Sequence, residues 1–116
     1  MPSDLLTPIF VPDEIRDAVS GEAWLQALLD AERALAAAEA RAGVIPEEAA
    51  AAIAEACRAE RFDVEALAVD GRSVGNPAEP VARALAEAAG DAGRYVHKGA
   101  TSQDVVDTAA CLVAAP

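Results

Sequence analysis

The residues best equipped for chemistry lie together late in the 116-residue sequence, in the run Tyr95-Val96-His97-Lys98-Gly99-Ala100-Thr101-Ser102-Gln103-Asp104. Thr101 followed three residues later by Asp104 is a variant of the capping box. The hydroxyl accepts from the N–H three positions on, and the carboxylate reaches back to the cap's own N–H. A helix start flanked by two hydroxyls and preceded by Gly99 also suits an anion. Its orphan N–H groups and the positive end of its dipole face the ligand, and the glycine lets the backbone come close. His97 adds a donor or a titrating group just upstream. Residue types alone leave two readings open, a structural cap with a loop histidine or a carboxylate or phosphate site.

These residues need elements to hold them, and the alanine-rich pattern supplies helices. Alanine has the highest helix propensity and buries little area, so 31 alanines against four aromatics point to closely packed helices. The expected fold class is all-α, with at least four helices and no sheet. Residues 1–12 contain three prolines and read as an extended lead-in. Pro12 opens a short helix to about Val19, and Ser20 caps a long one over 21–42. Along it Trp24, Leu28, Ala31, Leu35 and Ala38 make one apolar stripe. Gly43 fits the position past its C-terminus, letting Val44 and Ile45 fold back. Pro46 opens a helix over 46–60 with Glu47 and Glu48 in its first turn. Asp63 caps a short helix through Val69, Asn76 caps one that starts at Pro77 and ends near Gly90, and Asp91-Ala92-Gly93 turns the chain. A last helix runs from about Ser102, with Val105, Val106, Ala109, Leu112 and Val113 on an apolar face. That face predicts a helix continuing past Pro116 into a partner bundle, and a chain that is sticky there.

Composition excludes several function classes. The net charge is −11, with 15 acids and 5 bases in residues 1–70 but 5 and 4 in residues 71–116. There is no basic footprint for nucleic acid. The nearly neutral last third, with Arg94, His97 and Lys98, is the least repulsive surface for an anion. No apolar run is long enough to span a bilayer and MPSDLLTPIF has no basic leader, so a cytoplasmic protein with no membrane partner is expected. Cys57 and Cys111 have no second pair at metal spacing and read as buried thiols, with no metal site.

Residues 95–109, Tyr-Val-His-Lys-Gly-Ala-Thr-Ser-Gln-Asp-Val-Val-Asp-Thr-Ala, resemble the first signature region of the fumarase/aspartase superfamily. The resemblance extends upstream through WLQALLDAERALAAAEARAGVIPEEAAAAI, AERFDVEAL and GNPAEPVARAL. Gly75-Asn76-Pro77 is similar to the carboxymuconate cycloisomerase branch, whereas adenylosuccinate lyases carry a His-Asp pair at that helix start. Ala78-Glu79 before Pro80 departs mildly from the branch pattern. The resemblance implies an N-terminal helical domain over 1–100 and the start of a central bundle at 101–116. It also implies β-elimination or lactonising chemistry on a small polycarboxylate in aromatic catabolism, the β-ketoadipate pathway, with no cofactor. Thr101 and Ser102 would bind a substrate carboxylate, with His97 positioning it, Asn76 lining the pocket and Gln103 assisting. Asp104 and Asp107 would serve capping and local structure. The proton-abstracting loop lies far downstream in relatives, which build their sites from a homotetramer, so this chain carries no catalytic base and is expected to be inactive alone. Two alternatives are an adenylosuccinate lyase-like lyase and a non-catalytic helical assembly module.

Overall fold

A computed structural model describes residues 4–115. It contains α1 (Thr7–Phe10), α2 (Asp13–Ala18), α3 (Gly21–Arg41), α4 (Glu47–Ala56), α5 (Val64–Asp70), α6 (Ala78–Ala88) and α7 (Ser102–Ala114). Short 3₁₀ turns follow α4, α5 and α6, at Ala59–Arg61, Gly71–Ser73 and Gly90–Tyr95. No strand occurs among the described residues, and the all-α expectation holds. None of their helices is long and apolar enough to cross a membrane.

Helix α3 is the axis of the fold, packing against α4, α6 and α7. Its buried face contains Leu25, Leu28, Leu29, Glu32 and Ala36, at three- and four-residue spacing. Ala38 of the expected stripe is exposed and Trp24 and Leu35 are only half-buried. The stripe was misplaced because Glu32, a carboxylate, occupies a core position that hydrophobic periodicity skips. Ile53 on α4, Leu85 on α6 and Ala109 on α7 are fully buried against this axis.

Local chemistry fixes the helix ends. Ser20 Oγ accepts from Ala23 N–H at 3.1 Å, and Asp63 Oδ1 from Ala66 N–H at 3.1 Å. Past α3, Gly43 takes φ 78°, and Val44 N–H donates back to Glu39 C=O at 2.8 Å while Gly43 N–H reaches Ala40 C=O at 3.1 Å. This is the paired bonding of a Schellman end, with glycine where φ must be positive. Ile45 then enters the core, but Val44 stays exposed, contrary to expectation. Helix α4 stops at Ala56, earlier than its pattern suggests. The Gln26 side chain explains the stop: its Nε2 donates to Cys57 C=O at 3.0 Å and its Oε1 accepts from Ala59 N–H at 2.8 Å. A side chain 31 residues upstream thus satisfies backbone groups that the helix leaves open.

Three further expectations need correction. Residues 7–10 form a helical turn rather than extended chain, with Asp4 Oδ1 accepting from Leu6 and Thr7 N–H groups; residues 1–3 lie outside the described residues. Cys111 is exposed, because it projects from α7 away from the Val105–Ala109 contact face; only Cys57 is buried. The α7 face is also less open than expected. Val105 and Ala109 are buried and Val106 and Val113 pack against the core, leaving Leu112 exposed. The larger exposed apolar side chains are instead Leu5, Leu6, Ile9 and Phe10.

Candidate functional site

The site region starts where α6 gives way to the 3₁₀ turn Gly90–Tyr95. Gly93 packs so closely on the Ala86 carbonyl that any Cβ there would collide with it. This contact sets the path of the chain into the turn carrying His97, Lys98 and Gly99. Ala100 N–H closes that turn on His97 C=O at 3.3 Å, with Gly99 at φ 75°. His97 itself takes φ 61°, the only such value at a non-glycine residue among those described. Left-handed backbone is uncommon outside glycine and costs energy that the surroundings must repay.

What repays it is a contact that sequence reading missed. His97 Nδ1 stands 2.7 Å from Oε2 of Glu32, across 65 residues of sequence. The Glu32 side chain is 1% exposed and that of His97 21%. Burial pushes the Glu32 carboxyl above its ordinary range; the His97 hydrogen bond and charge oppose this, and the charge of Glu39 adds to it. Its second oxygen, Oε1, is buried without a hydrogen-bond partner. A signal existed in the sequence: an acidic residue seven positions after Leu25 and three after Leu29, on a face otherwise apolar.

Immediately after the turn, Thr101 caps α7. Its Oγ1 accepts from Asp104 N–H at 3.3 Å, and Asp104 Oδ2 accepts from Thr101 N–H at 3.0 Å, completing the reciprocal box. These bonds hold the Asp104 carboxyl below its ordinary range, with a smaller contribution from the His97 charge. The long helix thus begins with Ser102 half-buried beside the cap and His97 just upstream.

The other expected site residues are engaged elsewhere. Asn76 Oδ1 accepts from Glu79 N–H at 3.1 Å, capping α6. Gln103 is exposed, its Nε2 donating to Asp107 Oδ1 at 2.7 Å. No hydrogen bond joins either to His97, Thr101 or Ser102 among the described residues. Cys57, buried beneath α3, has its thiol pushed up to about 11, mainly by desolvation with Arg33 opposing, and is not a nucleophile at neutral pH. No group of three His, Cys, Asp or Glu side chains that could hold a metal occurs among the described residues.

A cleft of about 1080 Å³ between α2, α3 and α5 contains none of the five expected residues. Its lining includes Asp17, Glu22, Glu60, Asp63 and Glu65 against Arg16, a balance that repels a carboxylate. The His97–Ser102 segment, by contrast, presents a helix start and an imidazole. Chemistry favours that segment for an anion.

Known proteins bear on this geometry. The chain is 50% identical over 115 residues to nitrosuccinate lyase of Streptomyces davaonensis, covering 96% of this chain and 24% of that protein. It is 47% identical over 116 residues to 3-carboxy-cis,cis-muconate cycloisomerase of Pseudomonas putida, covering 97% of this chain and 28% of that one. The crystal structure of 3-carboxy-cis,cis-muconate lactonizing enzyme from Pseudomonas putida superposes with a TM-score of 0.91 at 45% identity, covering 97% of this chain and 26% of that structure. The chain therefore spans about a quarter of the length of the relatives it matches. Residues 11–115 match the lyase family, and the chain belongs to that family, as its likeness to the fumarase/aspartase superfamily implied.

Proposed function

We propose that this chain forms the N-terminal helical part of a 3-carboxy-cis,cis-muconate cycloisomerase and supplies one carboxylate-binding edge of its active site. The observation that carries the reading is the conjunction at the start of α7: a boxed helix N-terminus at Thr101 and Ser102, with an imidazole upstream that is anchored to the core at 2.7 Å. Lactonisation and its reverse transfer a proton α to a carboxylate while the substrate's own carboxylate adds to or leaves the β-carbon. Charge builds on the α-carboxylate as that proton leaves, and preorganised donors stabilise it. The start of α7 offers such donors in its N–H groups and the Ser102 hydroxyl, and His97 positions the ligand from upstream. Asn76, capping α6, lines the pocket from the preceding helix, and Gln103 is peripheral. No residue of this chain serves as the catalytic base. The likeness to the fumarase/aspartase superfamily implies that this chemistry runs without a metal or organic cofactor. Residues 1–100 constitute the N-terminal domain and 101–116 open the central bundle of a cytoplasmic homotetramer acting in aromatic catabolism.

The 50% identity to a nitrosuccinate lyase favours a second reading with the same chemistry, elimination of a β-group from a substituted succinate. Asn76-Pro77, similar to the cycloisomerase branch, favours the first. A chimera decides between them: residues 1–115 replace the matching quarter of the Pseudomonas putida cycloisomerase and turnover is measured. Lactonisation of 3-carboxy-cis,cis-muconate is expected. A folded tetramer that eliminates nitrite from nitrosuccinate but does not lactonise would transfer the assignment to the second reading.

A further inference from the structure

Glu32 enters the site so far only as an anchor for His97, yet its position is costly. A carboxylate on the core face of α3 replaces an apolar side chain at a position flanked by Leu25, Leu28, Leu29 and Ala36. One oxygen is buried with no hydrogen-bond partner, and the other has His97 as its hydrogen-bond partner. Burying such a group carries a penalty unless it is paired. The backbone at His97 is also held in the left-handed region, so both partners are in unfavourable states that their mutual contact helps to offset.

We propose that Glu32 is a positioning residue for His97, its carboxylate accepting a hydrogen bond from Nδ1–H and so directing Nε2 outward to the anion at the start of α7. The two ring nitrogens are inequivalent, and the hydrogen bond made by one decides the state of the other. A carboxylate without a proton can only accept, so Nδ1 must carry the hydrogen. Nε2 makes no hydrogen bond among the described residues and lies on the ring edge away from Glu32, on a side chain that retains solvent access. A neutral, acidic Glu32 donating to Nδ1 would give the reverse arrangement, with the ring proton on Nε2. Burial favours that acid form, whereas the hydrogen bond and charge of His97 favour the carboxylate. The 2.7 Å contact from a fixed helix is the placement of a ring-orienting group and fixes Nδ1 as the nitrogen facing Glu32; the ring spectrum then reads which partner holds the proton. The anion itself rests on the function proposed above; the ring state does not.

The chain has one histidine, so ¹⁵N spectra of its imidazole contain a single ring system. At neutral pH the native chain should show a protonated, pyrrole-type Nδ1. Glu32→Leu, with helicity retained, should move Nδ1 to the pyridine-type shift as the ring reverts to the Nε2–H form. Glu32→Gln, which keeps the length and can donate or accept, should give a mixture of both forms and serves if the leucine variant does not fold. A pyridine-type Nδ1 in the native chain, or a ring state unmoved in both variants, overturns the proposal. Sulfate titration is read separately. Movement of Nε2 and of the Ser102 amide in the native chain, diminished in Glu32→Gln, supports the coupling of Glu32 to the anion. Absence of movement, with the ring state as expected, counts against the anion site while leaving the Glu32 role standing.

Discussion

His97 and Thr101 do different work, although five residues of one signature hold both. Thr101 is half of a reciprocal cap and its loss exposes an orphan N–H. Thr101→Ala should therefore cost about 1 kcal/mol in chemical unfolding. His97 is anchored by a buried acid, and that acid has a pH signature. The Glu32 carboxyl is raised above its ordinary value of 4.5, so the folded chain holds the proton more tightly than the unfolded one. This stabilisation is complete below the unfolded value and is lost as pH rises through the folded value. Glu32→Leu lacks the group, so it should gain stability relative to the native chain as pH rises from about 4 to 7. Paired urea titrations across that range check the sign; a difference that is flat or shrinks would show that Glu32 is not desolvated. The cap was legible in sequence because all its atoms lie within four residues. The anchor was not, because its partner lies 65 residues away and helical periodicity treats a glutamate as solvent-facing.

At the scale of elements, boundaries written in local chemistry were legible and those imposed by tertiary contact were not. Ser20, Gly43, Asp63, Asn76 and Thr101 mark ends that the structure places within a residue or two of expectation. Helix α4 ends four residues before its pattern does because Gln26 on α3 binds the backbone at Cys57 and Ala59. Gln26→Ala should cost about 1–2 kcal/mol, the penalty for leaving two part-buried groups unpaired. Amide exchange should then quicken at Ala59, while α5 and its Asp63 cap remain protected; slow exchange at Ala59 would mean that water replaces the glutamine without loss. The same distinction explains α7. Its start was correctly read from Thr101, but the face it buries against α3 was expected to be open, since a single sequence does not show which helix covers which.

At the scale of the molecule, α3 links the core to the site: the residues that make the helix bundle cohere also carry Glu32 to His97. The segment is thus held by the fold as well as by its own turn. Among the described residues the bundle provides a helix start and a ring anchored to the core. The 116-residue chain by itself should show no turnover of 3-carboxy-cis,cis-muconate, in an ultraviolet assay able to register the native Pseudomonas putida enzyme at a thousandfold dilution, a sensitivity of about 4 kcal/mol in barrier. Robust turnover that follows the purified 116 residues through successive columns would mean that the site is complete without the other three-quarters of its relatives' length. The fold class was legible because alanine content and cap spacing recur along the whole chain. The Asn76 cap was legible from its neighbours, whereas the Gln103 bond to the Asp107 side chain was not, because likeness to a family position does not specify the partner a side chain takes.

The central claim is that the start of α7 binds a substrate carboxylate, and it is tested most directly by turnover in the chimera that carries this chain. Thr101→Ala together with Ser102→Ala should leave circular dichroism and tetramer formation intact while kcat/KM falls about 100-fold or more, the scale of losing a preorganised donor. Unchanged turnover in the folded double variant would contradict the account and reduce the segment to a helix cap.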